Sequence, residues 1–582
     1  MLLGVCYAGN SLIFKHYLHG SVKIRTRPCR RRRLFKVDED KGEISLWNPR
    51  LQRFQRFVFS TSYVGDGVMY EERVPQEIYL VANKGFTMLG WSPAADIDTA
   101  FFDVPQFPIA GLAFSRGKPV IYDESGGREV SYPDLRDAAI IYASSGRDLE
   151  EARKAVKTGF VINIDLIPRT YPASLMKPAE ERAKYYYEIL KKNYEFLVAL
   201  GRLSGIGFAA LDLIGKVGGF MSLILARYYK LNNWVIPLES ERGREIGSYR
   251  GGYIVNPTVG FHQNVYEVDF RMMYPHIITE YRIDLNTVNC GHDECKDNRP
   301  RKLDEHDLYF CKYAKKTILP ELVEGLIKAR YALQERGLDS YPAKVMAAAS
   351  YGILGNRQGI FYFPYGARMI TALGRMRIKD LIAYEERHGH EILHVHTDGL
   401  VVKSVDGSSE KLVPRKFSDL IKVKKFSWIL IINKTARIWL EEGASSPEFK
   451  GVEGLRHNTP PLLKKIFDGI RYDSPRSFIE SLKKRYEEVR KAIREAGPRE
   501  LAFTVKLSKD GDKYSPKSHM YQIAKGFKRG DVIEYVKTVN GWKIVTEATP
   551  QELDRKYYES MLESIVNQIL KVVGEPVQTT LV

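Results

Sequence analysis

The 582-residue chain is poor in cysteine, with five in all, and no apolar run in it reaches the ~18–20 residues that cross a bilayer. Thiols so few and scattered exclude a secreted disulfide framework. The opening stretch, MLLGVCYAGNSLIFKHYL, lacks a leading basic region and reads as a first strand rather than a signal peptide. An intracellular, cytoplasmic protein with no membrane partner is therefore expected. Acidic residues are also in short supply, 71 against 89 Lys and Arg, for a formal charge of +18. Such a surplus fits a polyanionic partner, because each neutralised phosphate releases counterions. A generally basic enzyme surface would give the same number. No internal repeat and no long low-complexity tract is present.

What is there divides into stretches of different character. With 44% apolar residues the chain is ordinary for a globular protein, and too long for one core. Residues 1–95 alternate short apolar and basic stretches, including the run Arg30–Arg33, and predict a β-rich module. That run is a solvated face or a phosphate contact. Residues 96–175 hold short apolar runs such as Ala138–Ala143 and Phe160–Ile167 between turns, an α/β pattern. Residues 178–230 are helical in period. A turn cluster at Gly243–Gly252 precedes an extended run ending in YEVDF. Two helical segments follow over 318–356, separated by Gly337–Pro342. Segment 392–403, ILHVHTDGLVVK, reads as two strands meeting at a tight turn around Thr397, Asp398 and Gly399. The last stretch is charged and largely helical, with a strand-like interruption at 531–546. The whole is an α+β mosaic and not a doubly wound sheet.

Two acidic residues stand out. Asp269 closes the alternating run Val265–Asp269, at the end of a predicted strand, and Asp398 sits at the tip of the later hairpin. If the two strands share a sheet, both carboxylates meet at one edge and can clamp two divalent cations. Phosphoryl transfer needs little more, since the metals activate the attacking hydroxyl and offset charge on the leaving group. Mg2+ suits oxygen ligands best, and Mn2+ can substitute. Singly, an Asp at a strand end is more often a turn or cap residue.

The surrounding residues resemble those of family B DNA polymerases. DFRMMYPHII at 269–278 is similar to the first palm motif, DxxSLYPSII, and YRGGYI at 249–254 to the YxGG element upstream of it. KVMAAASYG at 344–352 matches the fingers motif KxxxNSxYG at its Lys, Tyr and Gly. ARMITALGR at 367–375 resembles the helix behind the palm, and HTDGL at 396–400 the DTDG motif. KGVEGLRHNTPP at 450–461 and LDRKYYESMLESIVNQIL at 553–570 resemble the approach to the thumb and the thumb itself. These seven elements stand in the family's order over residues 249 to about 570.

The resemblance implies a right-hand polymerase, with an N-terminal β-rich module (1–95) and an RNase H-like, exonuclease-type domain with its following helices (96–230). The palm (231–317 and 357–450), fingers (318–356) and thumb (451–582) follow. It implies metal ligation by Asp269, Asp398 and the backbone carbonyl of Phe270. Met272, Met273, Tyr274, Arg330, Lys344, Ala348 and Tyr351 would surround the incoming dNTP. Tyr274 would exclude a 2′-hydroxyl, and Arg330 and Lys344 would meet the triphosphate. Tyr249, Gly251, Gly252, Gly352, Lys434, Arg437 and Arg456 would track primer–template DNA.

Several positions depart from the family pattern. Met272 and Met273 replace Ser and Leu, Ala348 and Ala349 replace Asn and Ser, Gln334 stands where relatives carry a Lys, and His396 replaces the first Asp of DTDG. A slow polymerase with a loosened pocket is expected, lacking the usual third carboxylate beside Asp269 and Asp398. The nuclease motifs are thinner still. The expected DxE is Phe102-Asp103-Val104-Pro105, Asp165 is the one candidate of the second motif, and Tyr185 stands where the third needs Asp. Such degeneracy resembles the shorter, divergent archaeal group, and implies lost proofreading with a role in repair or translesion synthesis. A catalytically inactive fold that binds primer–template DNA is the alternative. Cys290, His292 and Cys295, with Cys311 beyond, form a set suited to structural Zn2+, to a disulfide, or to free thiols. The tail QTTLV at 578–582 resembles the start of a sliding-clamp peptide.

Overall fold

The computed structural model describes residues 249–575 except 315, 406, 408, 410 and 457, together with 577. N-terminal of these it describes segments 2–8, 11–16, 20–25, 35–38, 43–48, 53–58, 109–115, 118–129, 140–143, 147–155, 160–163, 167, 171–204 and 217–231. Arg30–Arg33, Asp103, Asp165 and the 578–582 tail lie outside the described residues. The chain forms two compact units, one of residues 1–171, 179–251 and 274–373, the other of 172–178, 252–273 and 374–582.

The first unit opens with two three-stranded antiparallel sheets, Leu2–Ala8, Ser11–His16, Gly20–Arg25 and then Phe35–Asp38, Glu43–Asn48, Arg53–Val58. A mixed sheet follows from β1 (Ile109–Ser115), β2 (Lys118–Asp123), β3 (Gly126–Glu129), β4 (Ile140–Ala143) and β5 (Phe160–Asn163), in the order β5-β4-β1-β2-β3. β1–β3 form an antiparallel meander, and β4 runs parallel to both β1 and β5. Helices α1 (Arg147–Ala155) and α2 (Ala179–Lys192) cover it. The buried Arg182 joins all three elements, meeting Asp148 at 3.1 Å and donating to the Phe114 carbonyl at 2.8 Å.

Next come α3 (Tyr194–Ser204), α4 (Val217–Leu231), α5 (Met273–Glu280), α6 (Leu319–Glu335), α7 (Tyr341–Gly355) and α8 (Pro364–Arg387), the last running from the first unit into the second. The pattern at 318–356 anticipates α6 and α7. Pro342 opens α7 instead of breaking the chain before it, because the first turn needs no N–H from that residue.

Residues 286–317 leave α5 and return to α6 as a long excursion, and one side chain closes its base. Asp284 is fully buried. Its carboxylate accepts from Leu285 N (2.8 Å), Ile318 N (2.5 Å), Leu319 N (3.0 Å) and the Tyr229 hydroxyl (2.6 Å). Two of those amides are N-terminal donors of α6 that the helix itself cannot satisfy.

The second unit is built on a seven-stranded sheet of β6 (Gly260–His262), β7 (Val265–Phe270), β8 (Glu391–His396), β9 (Gly399–Lys403), β10 (Ile421–Ile431), β11 (Arg437–Glu441) and β12 (Glu448–Lys450). The order is β8-β9-β7-β10-β11-β12, with β6 also paired to β10. Alternation on β10 serves two cores. Ile429 and Ile431 join Val265, Leu393, Val401 and Trp439 on one face. Trp428 and Leu430 join the apolar stripe of α9 (Pro475–Glu495) on the other, where the Trp428 and Phe478 rings lie 5.5 Å apart. That helix starts at a capping box of Ser474 and Ser477. The strand-like interruption at 531–546 is a hairpin, β14 (Val532–Thr538) and β15 (Gly541–Ile544), joined to β13 (Phe503–Lys506) and followed by α10 (Arg555–Leu570).

Replacing Asp284 by Ala would strand three buried amides and a buried hydroxyl. Chemical denaturation is expected to show a loss of about 3 kcal/mol or more, with Asp284→Asn losing less. Equal stability of Asp284→Ala and the parent would contradict this role.

Candidate active site

β7 lies between β9 and β10, antiparallel to each, with Asp269 opposite Gly399 on one side and Lys422 on the other. β8 and β9 form a hairpin with His396 opposite Gly399, so that Thr397 and Asp398 make its two-residue loop. Phe270 N–H donates to the Asp398 carbonyl at 2.8 Å and ties the loop to the end of β7. Gly399 permits this approach. A Cβ there would lie 2.6 Å from the Val268 oxygen and 2.9 Å from the Asp269 Cα. Behind the loop, a Cβ on Gly252 would meet the Thr397 side chain at 2.6 Å, which gives the second glycine of YRGG a steric reason.

Asp269, His396 and Asp398 thus converge, each with a ligand atom within 4.8 Å of the others. The donors are two carboxylates and one imidazole, and the carboxylate pair fits a hard divalent cation. Burial, then the neighbouring Asp398 charge, pushes Asp269 up to about 7. A cation held between the two carboxylates would favour the ionised form of Asp269. Asp398, with its side chain about half exposed (54%), goes the other way. Burial alone would raise it, but His396, with Nδ1 2.8 Å from Asp398 Oδ1, holds it below the usual range.

A further carboxylate, Glu267, comes near on β7, but it is paired with His396 and Arg437 and stands outside the cluster of Asp269, His396 and Asp398. Glu267 lies two residues before Asp269 and so shares its face of β7. Its Oε1 is 3.4 Å from His396 Nε2 and accepts from Arg437 at 2.7 Å. Burial opposes ionisation of Glu267, yet His396 and Arg437 together hold it down at about 2. His396 is raised in turn, its two acidic partners outweighing burial. Strand alternation was the signal for Glu267. Nothing local in the sequence pairs it with Arg437, which is 170 residues away.

Arg437 requires a correction. It was expected on the surface against a phosphate, but it is buried, paired with Glu267 and stacked over Trp439 at 5.0 Å. As the first residue of β11 it points into the sheet's core side, where an unpaired Glu267 would be costly. Lys434 and Arg456 are exposed. Lys434 rides on a turn held by Asn433, whose side chain accepts from Thr435 N and Ala436 N. Met272 has a left-handed backbone (φ 49°) and Met273 is buried.

In the first unit, Lys344, Ala348 and Gly352 lie on the exposed side of α7, four residues apart, with Tyr351 half-buried beside them. Arg330 and Gln334 are likewise one turn apart on α6. The Tyr351 ring packs against Tyr274 with centroids 4.7 Å apart, and its hydroxyl lies 3.4 Å from that of Tyr249. Burial first, then Tyr351, raises the Tyr249 hydroxyl well above its ordinary range, so both phenols stay protonated. Arg250 of YRGG is anchored to α8, its carbonyl accepting from Thr371 at 3.0 Å, while Gly251 is open to solvent. Tyr185, on the helix expected to supply a nuclease Asp, is exposed and donates to the Tyr171 carbonyl at 2.8 Å.

Cys290, His292, Cys295 and Cys311 also meet, with ligand atoms all within 4.8 Å of one another. The three cysteines are free thiols.

A hairpin tip and a central strand presenting carboxylates at one sheet edge fit the palm of a right-hand polymerase. The comparisons agree. Residues 219–412 match the profile of DNA polymerase family B. DNA polymerase 1 of Sulfolobus acidocaldarius is 26% identical over 438 residues, 65% of this chain and 49% of that protein. The DNA polymerase of a Thermococcus species is 25% identical over 448 residues, 68% and 56% of the two. The family B DNA polymerase structure from Pyrobaculum calidifontis superposes with a TM-score of 0.64 at 17% identity, covering 99% of this chain and all of that one. These likenesses support a family B DNA polymerase, with the family profile itself matching residues 219–412. It spans about half the length of the Sulfolobus relative. Among the described residues no helix is long and apolar enough to cross a membrane.

Arg437→Ala would leave Glu267 charged and buried without its guanidinium. A loss of about 3–5 kcal/mol is expected in denaturant melts. Unchanged stability with a shallower salt dependence of DNA binding would restore Arg437 to a phosphate contact.

Proposed function

We propose that the chain is a DNA-templated DNA polymerase, transferring a nucleotide from a dNTP to a primer 3′-hydroxyl. The observation that carries this reading is the meeting of Asp269 and Asp398 at the edge formed by β7 and the β8–β9 loop. Divalent cations held there, Mg2+ or Mn2+, would lower the pKa of the attacking hydroxyl and offset charge on the leaving pyrophosphate. Asp269 and Asp398 supply ligand oxygens, helped by the Phe270 carbonyl. Arg330 and Lys344 meet the triphosphate, and Tyr351 and Gly352 line the floor beneath the nascent pair. Lys434 and Arg456 take phosphates of the primer–template. Tyr274 stands five residues after Asp269 and excludes a ribose 2′-hydroxyl, its ring braced by Tyr351.

The altered pocket supports a slow enzyme. Ala348 and Met272 offer no polar group to the triphosphate, and His396 occupies one oxygen of Asp398. That last contact also favours the rival reading, an inactive fold that binds primer–template DNA as an accessory. Tyr185 in place of a nuclease carboxylate supports absence of proofreading, and with it a role in gap filling or lesion bypass.

Primer extension with purified protein and Mg2+ or Mn2+ separates the two. Extension is expected, and Asp269→Ala or Asp398→Ala should reduce it at least about a hundredfold, as for loss of a group acting on developing charge. No extension by the parent, or equal extension by Asp398→Ala, would support the accessory reading instead. In the same assay Tyr274→Ala should cost on the order of tenfold or more in dNTP over rNTP selection, about 1.4 kcal/mol of steric discrimination. An unchanged ratio would remove Tyr274 from that role.

A further inference from the structure

The excursion 286–317 is mostly polar, with Val288, Leu303 and Leu308 its buried apolar residues, and it has its own fastening. An isolated bridge between Val288 and Phe310 lays its outgoing and returning arms side by side. Cys311 N donates to Thr287 O at 2.8 Å, and Asn289 is bonded to Tyr309 through both backbone and side chain. This pairing brings Cys311 to Cys290. Asn289 (φ 49°) and Gly291 (φ 82°) then turn the outgoing arm so that His292 faces the same point. A 3-10 turn at Asp293–Cys295, with Cys295 N donating to His292 O at 3.1 Å, delivers the fourth side chain.

We propose that these four residues bind one structural zinc ion, and that the metal is what makes the excursion a fixed part of the fold. His292 Nδ1 lies 3.1 Å from Cys290 Sγ and 3.8 Å from Cys311 Sγ. With Zn–S near 2.3 Å and Zn–N near 2.1 Å, a tetrahedron has S···N edges of about 3.6 Å, between those two values. Backbone amides also point at the sulfurs, Lys312 N at Cys295 Sγ (3.3 Å) and Tyr313 N at Cys311 Sγ (3.4 Å). Such donors stabilise thiolates and hold them in place for a metal. A disulfide would use two of the sulfurs and leave a thiol and an imidazole crowded against it without a bond. Four protein donors leave no open position, so the metal's role is structural and not catalytic.

The fastening reaches α8. Glu305 and Asp307 both hold Arg368, the latter through two contacts of 2.7 Å. With Asp284 closing the base, the excursion is pinned at its root, its tip and its flank. This goes beyond the polymerase reading and does not depend on it.

The test is metal content of full-length protein purified without chelator. One zinc per chain is expected. Replacement by Co2+ should give the visible bands of tetrahedral cobalt together with a thiolate charge-transfer band. His292→Cys should keep the metal, whereas Cys295→Ser with Cys311→Ser should lose it. Because the parent is read directly, failure of a variant to fold leaves the result intact. Parent protein that lacks zinc and will not take Co2+ after reduction would overturn the proposal, as would a disulfide among the three cysteines in peptide maps of freshly isolated protein. Primer extension is a separate readout, so a zinc-bearing but inactive protein would sustain this proposal and sink the polymerase reading.

Discussion

The hydrogen bond from Phe270 N–H to the Asp398 carbonyl decides what the acidic edge can do. It fixes the hairpin loop to the end of β7, and a slip of one residue in this register would send Asp269 to the opposite face of the sheet. Gly399 makes the bond possible, since any side chain there would collide with the backbone of β7. The cost of bringing two carboxylates together is therefore borne by the sheet, whose seven strands and two apolar faces set the register long before a cation arrives.

Around that edge, charge alternates in a chain from Arg437 through Glu267 and His396 to Asp398. Each member is stabilised by the next, with Arg437 and Glu267 buried and His396 half-buried. His396 stands in place of a carboxylate, while Glu267, two strands away in the sheet, is already balanced by Arg437. The net effect leaves Asp398 ionised and Asp269 the group with the least local compensation. A site of this kind keeps its geometry without a cation, at the expense of tying up one oxygen of a ligand.

Much of this was legible in the sequence because it is local. The 392–403 run carried the alternation and two-residue loop of a hairpin, and Val265–Asp269 the alternation of a strand ending in an acid. α6 and α7 were legible from their period, and the four zinc-type ligands from residue identity and spacing. What escaped was long-range. Arg437 read as a surface cation because nothing near it in the chain reveals Glu267. Asp284 carried no motif, yet it closes a 32-residue excursion through four donors distributed over residues 229 to 319. Buried polar groups take partners from wherever packing brings them, and single-sequence periodicity does not report that.

The central claim is that Asp269 and Asp398 form one cation site because the strands hold them together. Titration of Mn2+ into the DNA-free protein, followed by electron paramagnetic resonance, tests it without relying on turnover. The account predicts specific binding that weakens on the order of tenfold or more, about 1.4 kcal/mol, in Asp269→Asn and in Asp398→Asn alike. Mn2+ binding unchanged in both variants would contradict it.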